Sequence, residues 1–155
     1  MEKIKSFTID HLSLKTGLYV SRKDKSGDCV VTTFDLRICR PNVEPVIDMP
    51  ALHTIEHLGA TFLRNSARKD EILYFGPMGC RTGFYLLMFG DMNSQDVLPF
   101  IIELCDFIIE FDGAIPGASA AECGNWQEQN LEMAKYYIKK YKTSLICEKN
   151  LEYNV

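Results

Sequence analysis

An α+β fold, an antiparallel sheet with helices packed on one face, is what this sequence predicts, and three observations predict it. The segment Cys29 to Cys39 alternates in polarity as a half-buried strand does. Two other segments repeat their apolar residues at three- and four-residue spacings. The strand candidates do not alternate with helices as βαβ units, and the later pair is joined by a short Gly/Pro turn, which suits antiparallel pairing.

In chain order, Val30, Thr32, Phe34, Leu36 and Ile38 form one face of the first strand and Val31, Thr33, Asp35 and Arg37 the other. Pro41 and Asn42 stop it. A loop then leads to Pro50, a residue suited to the first turn of a helix that runs to about Arg64. Leu52, Ile55, Leu58, Phe62 and Leu63 make that helix's core face, leaving His53, Glu56 and His57 on a different sector. Strands at Glu71 to Phe75 and Gly83 to Phe89 flank the turn Gly76-Pro77-Met78-Gly79-Cys80-Arg81, so Cys80 sits at a strand junction. Asp96 is placed to cap a helix with Pro99 in its first turn, a stripe from Phe100 to Phe111, and Gly113 at its end. A last helix, capped by Asn130, runs to about Lys142.

The 155 residues fit one domain, read as residues 1–155, and the 46% apolar and 25% charged shares are those of an ordinary globular chain. A net charge of -4 with no Lys/Arg cluster argues against nucleic acid and anionic membranes as partners. The first residues lack the pattern of a signal peptide and no run is long enough to span a bilayer, so a cytoplasmic location is expected. The six cysteines show no disulfide framework, and reduced thiols are the default there.

The pentapeptide His53-Thr54-Ile55-Glu56-His57 carries the chemistry. Positions four apart share a helix face, so the two histidines can grip one metal ion with Glu56 beside them. Two imidazoles leave an ion short of ligands, and a thiolate or carboxylate from elsewhere must complete the site. The order His-x-x-Glu-His is also a hydrolytic zinc motif of larger proteins, and the same residues can coincide on a solvated helix face. Against coincidence, two of only three histidines fall at ligand spacing.

Five segments in order resemble the S-ribosylhomocysteine lyases, the LuxS family: Ser6 to His11, Phe34 to Asn42, His53 to Leu58, Gly76 to Gly83, and Cys123-Gly124. The resemblance spans nearly the whole chain. It implies His53, His57 and Cys123 as metal ligands with one position open, and iron(II) as the ion, although two imidazoles and a thiolate also suit zinc or cobalt. Cys80 and Glu56 match the family's proton-transfer residues. Ser6, His11 and Arg37 match residues that contact the ribose, and Arg64 is placed for the homocysteine carboxylate. A homodimer with sites near the subunit interface is implied as well. One position departs from the pattern: Tyr74 stands where many members have an aspartate, six residues before the catalytic cysteine.

The implied reaction moves the carbonyl of the opened ribose from C1 to C3 by successive proton transfers. Homocysteine then leaves by β-elimination, giving 4,5-dihydroxy-2,3-pentanedione, the autoinducer-2 precursor. Such a base requires Cys80 as thiolate, and Arg37 is the candidate for lowering its pKa, with Arg81 as its sequence neighbour. Cys29, Cys39, Cys105 and Cys147 match no family role and are read as packing residues. Two rivals remain at this stage: a small metallohydrolase in which Glu56 activates water, and a non-catalytic metal- or thiol-binding protein with a closed four-ligand site.

Overall fold

The computed structural model describes residues 8–153. Its elements are β1 (Gly17–Ser26), β2 (Cys29–Arg37), α1 (Met49–Asn65), β3 (Ile72–Pro77), β4 (Gly83–Phe89), α2 (Ser94–Glu110) and α3 (Leu131–Cys147), with a 3₁₀ turn at Lys69–Glu71. The strands form one antiparallel sheet in the order β1-β2-β4-β3, the α+β arrangement expected. Phe34 and Leu36 of β2 share a face with Leu18, Phe84, Leu86 and Met88, and this face is buried with Leu52, Ile55 and Leu58 of α1, Ile101 and Leu104 of α2, and Ile138 of α3. Each such aliphatic side chain contributes roughly 1.5–3 kcal/mol of burial. No helix among the described residues is long and apolar enough to cross a membrane.

Strand β1 is absent from the sequence reading. Its outer half, from Arg22 to Ser26, is exposed and polar, so it carries no apolar alternation to recognise. The legible signal is the two-residue turn Gly27-Asp28, which joins the paired residues Ser26 and Cys29 with Gly27 at φ 58.

Strand β2 ends at Arg37 rather than Cys39, because the Ile38 and Cys39 amides both turn to the Thr82 carbonyl, at 2.9 and 3.0 Å. Nor is β2 half-buried. Thr33, Asp35 and Arg37, on the face away from the helices, are 6%, 1% and 2% exposed. The chain's last described residues help to cover them: the Tyr153 ring stacks on Tyr19 at 4.6 Å and its hydroxyl donates to Asp35 Oδ2 at 2.9 Å. Asn150 fastens this tail to the sheet edge, accepting from the Leu18 amide at 3.0 Å and donating to the Thr16 carbonyl at 2.9 Å.

Asp48 caps α1, accepting from the Ala51 amide at 3.0 Å, and Pro50 falls in the first turn as expected. Helix α2 begins earlier than predicted. Asn93 is its cap and Asp96 reaches back to the Asn93 amide at 2.7 Å, so Pro99 lies in the second turn. The helix also ends at Glu110, before Gly113. Helix α3 starts at the predicted Asn130 cap and continues past Lys142 to Cys147, because Tyr141 and Leu145 extend the buried stripe begun by Ala134 and Ile138.

The junction between β3 and β4 is built at close quarters. Gly83 pairs with Arg37, and a Cβ at Gly83 would sit 2.2 Å from the Leu36 carbonyl oxygen, a backbone atom with no freedom to retreat. Gly83→Ala is therefore expected to lower stability by roughly 3 kcal/mol, read as a shift of the urea midpoint at constant m. An unchanged midpoint would show that the two strands can separate at no cost.

Candidate metal centre and thiol site

The amphipathic pattern of α1 turns Leu52, Ile55 and Leu58 into the core and leaves His53, Glu56 and His57 half-buried on its outer flank. The segment between α2 and α3 folds across this flank. Its Pro116 carbonyl lies 2.7 Å from His57 Nδ1 and its Glu128 carbonyl 2.9 Å from His53 Nδ1. A carbonyl only accepts, so both Nδ1 atoms carry a hydrogen, and in the neutral ring each Nε2 is the lone pair left for an ion. The Gln129 amide, 3.2 Å from His53 Nδ1, is the longer contact and does not displace this assignment.

Those two Nε2 atoms face each other at 2.9 Å, and Cys123 Sγ lies 3.3 Å from His53 Nε2. Two neutral rings so placed bring lone pair against lone pair, an arrangement that a cation between them relieves. The three donor atoms all fall within 4.8 Å of one another. Two imidazoles fixed from behind by carbonyls, with one thiol, make the donor set of a divalent first-row metal, and the residues fit such an ion. Among the described residues these three donors form the group that could hold an ion.

Glu56 lines the same solvent-open cavity of about 560 Å³, together with His53, His57, Thr61, Glu122 and Cys123. The volume is that of a small-molecule site. A second cavity of about 530 Å³, beside Val20, Ser94 and Tyr153, holds neither thiol nor imidazole and offers no comparable chemistry.

Cys80 and Arg37 do not line the metal cavity. Arg37 projects from the face of β2 opposite to α1 and meets Cys80 there, with Nη1 3.9 Å from Sγ. Its Nη2 donates to Asp35 at 2.5 Å, a buried ion pair, and its Nη1 donates to Thr82 Oγ1 at 2.6 Å. The Cys80 thiol is exposed, in a turn closed by Arg81 amide to Met78 carbonyl at 2.9 Å, with Arg81 in the left-handed region at φ 59. Burial would raise its pKa, but hydrogen bonds to the Thr82 hydroxyl and amide, followed by the Arg37 charge, bring it below the ordinary thiol value. Arg37 thus stands beside the thiol, though Thr82, to which the sequence assigns no role, is the nearer partner.

The remaining expected contacts divide. His11, whose Nδ1 lies 2.9 Å from the Ile9 carbonyl, belongs to the Arg37 side, near Asp35. Arg64 is exposed at the end of α1 and donates to the Leu73 carbonyl at 3.3 Å, next to Tyr74 and away from the metal cavity. Tyr74 is half-exposed past the β3 register shift, its hydroxyl folded over Gly76. Ser6 lies outside the described residues. Cys39 and Cys105 are buried packing residues as read, whereas Cys29 and Cys147 are exposed, so the packing account fails for them. Cys29 opens a hairpin strand at the surface and Cys147 ends α3 on its outer side.

Residues 4–152 match the family model described as S-Ribosylhomocysteinase (LuxS). The S-ribosylhomocysteine lyase of Clostridium beijerinckii is 57% identical over 157 aligned residues, covering 99% of each chain. That of Clostridium acetobutylicum is 55% identical over 156, again covering 99% of each. The protein of the same name from Finegoldia magna is 58% identical over 141, covering 91% of this chain and 90% of its own.

Proposed function

Because this chain belongs to the S-ribosylhomocysteinase (LuxS) family, we propose that it is a metal-dependent carbon-sulfur lyase acting on S-ribosylhomocysteine. Its products are homocysteine and 4,5-dihydroxy-2,3-pentanedione, the precursor of autoinducer-2. The observation that carries this reading is the convergence of two imidazole nitrogens and a thiol sulfur in an open cavity beside Glu56. His53, His57 and Cys123 hold one divalent ion per subunit, iron(II) in this reading, with zinc or cobalt compatible with the same donors.

The ion, when bound, supplies the Lewis acidity that makes the carbon beside the sugar carbonyl acidic. The protons are moved by the chain. Cys80, as thiolate, and Glu56 take a proton from one carbon or hydroxyl and return it to the next, carrying the carbonyl from C1 to C2 and then to C3. The sulfur is then β to the ketone. Removal of the C4 proton pushes the electron pair toward C5 and breaks the carbon-sulfur bond, with homocysteine leaving as thiolate. The sequence is an internal rearrangement followed by elimination and needs no external oxidant. His11, Arg37 and Ser6 meet the ribose hydroxyls, and Arg64, beside Tyr74, meets the amino-acid end.

One protomer holds the two proton-transfer groups apart, Glu56 at the metal cavity and Cys80 on the far face of the sheet. That separation supports a homodimer in which each site takes Cys80 from one copy and the metal group from the other. The same face leaves Val31, Leu87 and Phe89 partly uncovered beside the Arg37 group, an apolar surface for the second copy. Free thiols at a working site fit a reducing cytoplasm. The whole chain, 1–155, then acts as one lyase-like domain.

Anaerobic purification, metal analysis and incubation with S-ribosylhomocysteine test the reading. About one metal ion per subunit and release of homocysteine as new free thiol are expected. Metal without thiol release would overturn it.

A further inference from the structure

The geometry points to Thr82 as a positioning residue that delivers the Arg37 charge to the Cys80 sulfur through its hydroxyl. The assignment rests on Cys80 being the proton-transfer thiol of the lyase reading. Arg37's own contact with the sulfur is a long one. Its Nη2 is committed to Asp35 at 2.5 Å, whose carboxylate offsets the guanidinium charge, and its Nη1 is 3.9 Å from Sγ. That same Nη1 is only 2.6 Å from Thr82 Oγ1, and Thr82 Oγ1 is 3.2 Å from Cys80 Sγ.

The direction of these bonds follows from what each group can do. A guanidinium can only donate, so Thr82 Oγ1 accepts from it, and the one hydroxyl hydrogen is free to point at sulfur. A hydroxyl polarised by a cation is a stronger donor than an isolated one, and its preferred acceptor is the thiolate rather than the thiol. Thr82 is 4% exposed, so water does not substitute for it in place. Its backbone is pinned: the carbonyl accepts from both Ile38 and Cys39, and the neighbouring Gly83 carbonyl accepts from Met78.

The other ionisable groups around Cys80 do not compete. Tyr85 of β4 and Tyr153 of the tail are pushed up by burial and stay neutral at the working pH. Asp35 lies on the far side of Arg37, where burial raises its pKa above the ordinary carboxylate value against the opposing pull of Arg37 and the Tyr153 hydroxyl. The net lowering at Cys80 has the Thr82 contacts ahead of Arg37 among its favourable causes.

Alkylation of Cys80 by iodoacetamide, followed against pH and read on the Cys80 peptide by mass spectrometry, separates this thiol from the other five. In Thr82→Val the pH profile is expected to move upward, with the rate at pH 7 lowered about tenfold. Thr82→Ser, which keeps the hydroxyl, is expected to restore the parent profile. Thr82→Ala serves as a second hydroxyl-free variant should Val fail to give the parent's circular dichroism spectrum. A parent-like profile in a folded hydroxyl-free variant, or a Ser variant as slow as Val, overturns the assignment. Homocysteine release by the parent is measured separately. Its absence would sink the lyase reading and leave the alkylation result standing.

Discussion

Cys80→Ala is expected to lower homocysteine release by about 10²–10⁴-fold, the contribution of a positioned acid-base group, while metal content stays at the parent's level. The two halves of that result have separate physical origins. Sγ hydrogen-bonds to Thr82 and Arg37, and it lies outside the cavity that His53, His57 and Cys123 share, so its removal leaves the three donors as they are. The side chain is exposed in a turn, and losing it should cost little stability. Cys123→Ala should do the reverse at the first step: two imidazoles alone hold a divalent ion weakly, so metal and activity are lost together. Metal analysis beside thiol release, with the protein filtered away before the assay, distinguishes them. Undiminished release by Cys80→Ala would remove the thiol from the mechanism and return Glu56 to a hydrolytic role.

Mixing two inactive variants is the second large effect. If each site draws Cys80 from one subunit and Glu56 from the other, a Cys80→Ala subunit paired with a Glu56→Ala subunit carries one doubly damaged site and one intact site. Random exchange makes about half of the dimers mixed, each with one working site of two, so release should recover from near zero to about one quarter of the parent's. The sheet is the reason to expect it: Arg37 and Cys80 are on one face, and α1 with its imidazoles is packed on the other. No recovery after verified subunit exchange would place both groups in one protomer.

The sequence makes the helical half of the metal centre readable, because the face shared by positions i and i+4 is a property of the backbone alone. His53 and His57 need no knowledge of the fold to be paired. Cys123 is different. It lies seventy positions beyond His53 in a segment without regular structure, and only the resemblance ties it to the histidines. The carbonyls of Pro116 and Glu128, which hold the two Nδ1 atoms, have no side-chain signature at all. Thr82 escaped for a related reason. In a strand-junction turn a threonine is an ordinary residue, and its role exists only because Arg37 arrives from β2. Strand β1 was hidden by its own exposure, and the burial of Asp35 by a tail more than a hundred positions away. Patterns local to one element were legible; contacts made by the register of two elements were not.

The tail through Tyr153 ends as one link of a continuous set of bonds: Tyr153 to Asp35, Asp35 to Arg37, Arg37 to Thr82, and Thr82 to Cys80. For anyone handling the protein this has a practical meaning. A substitution or chemical modification at Tyr153 acts only four hydrogen-bonded contacts away from the sulfur. Tyr153 is thus a poor position for a label or a substitution, and preparations differing only there are not interchangeable in a kinetic comparison.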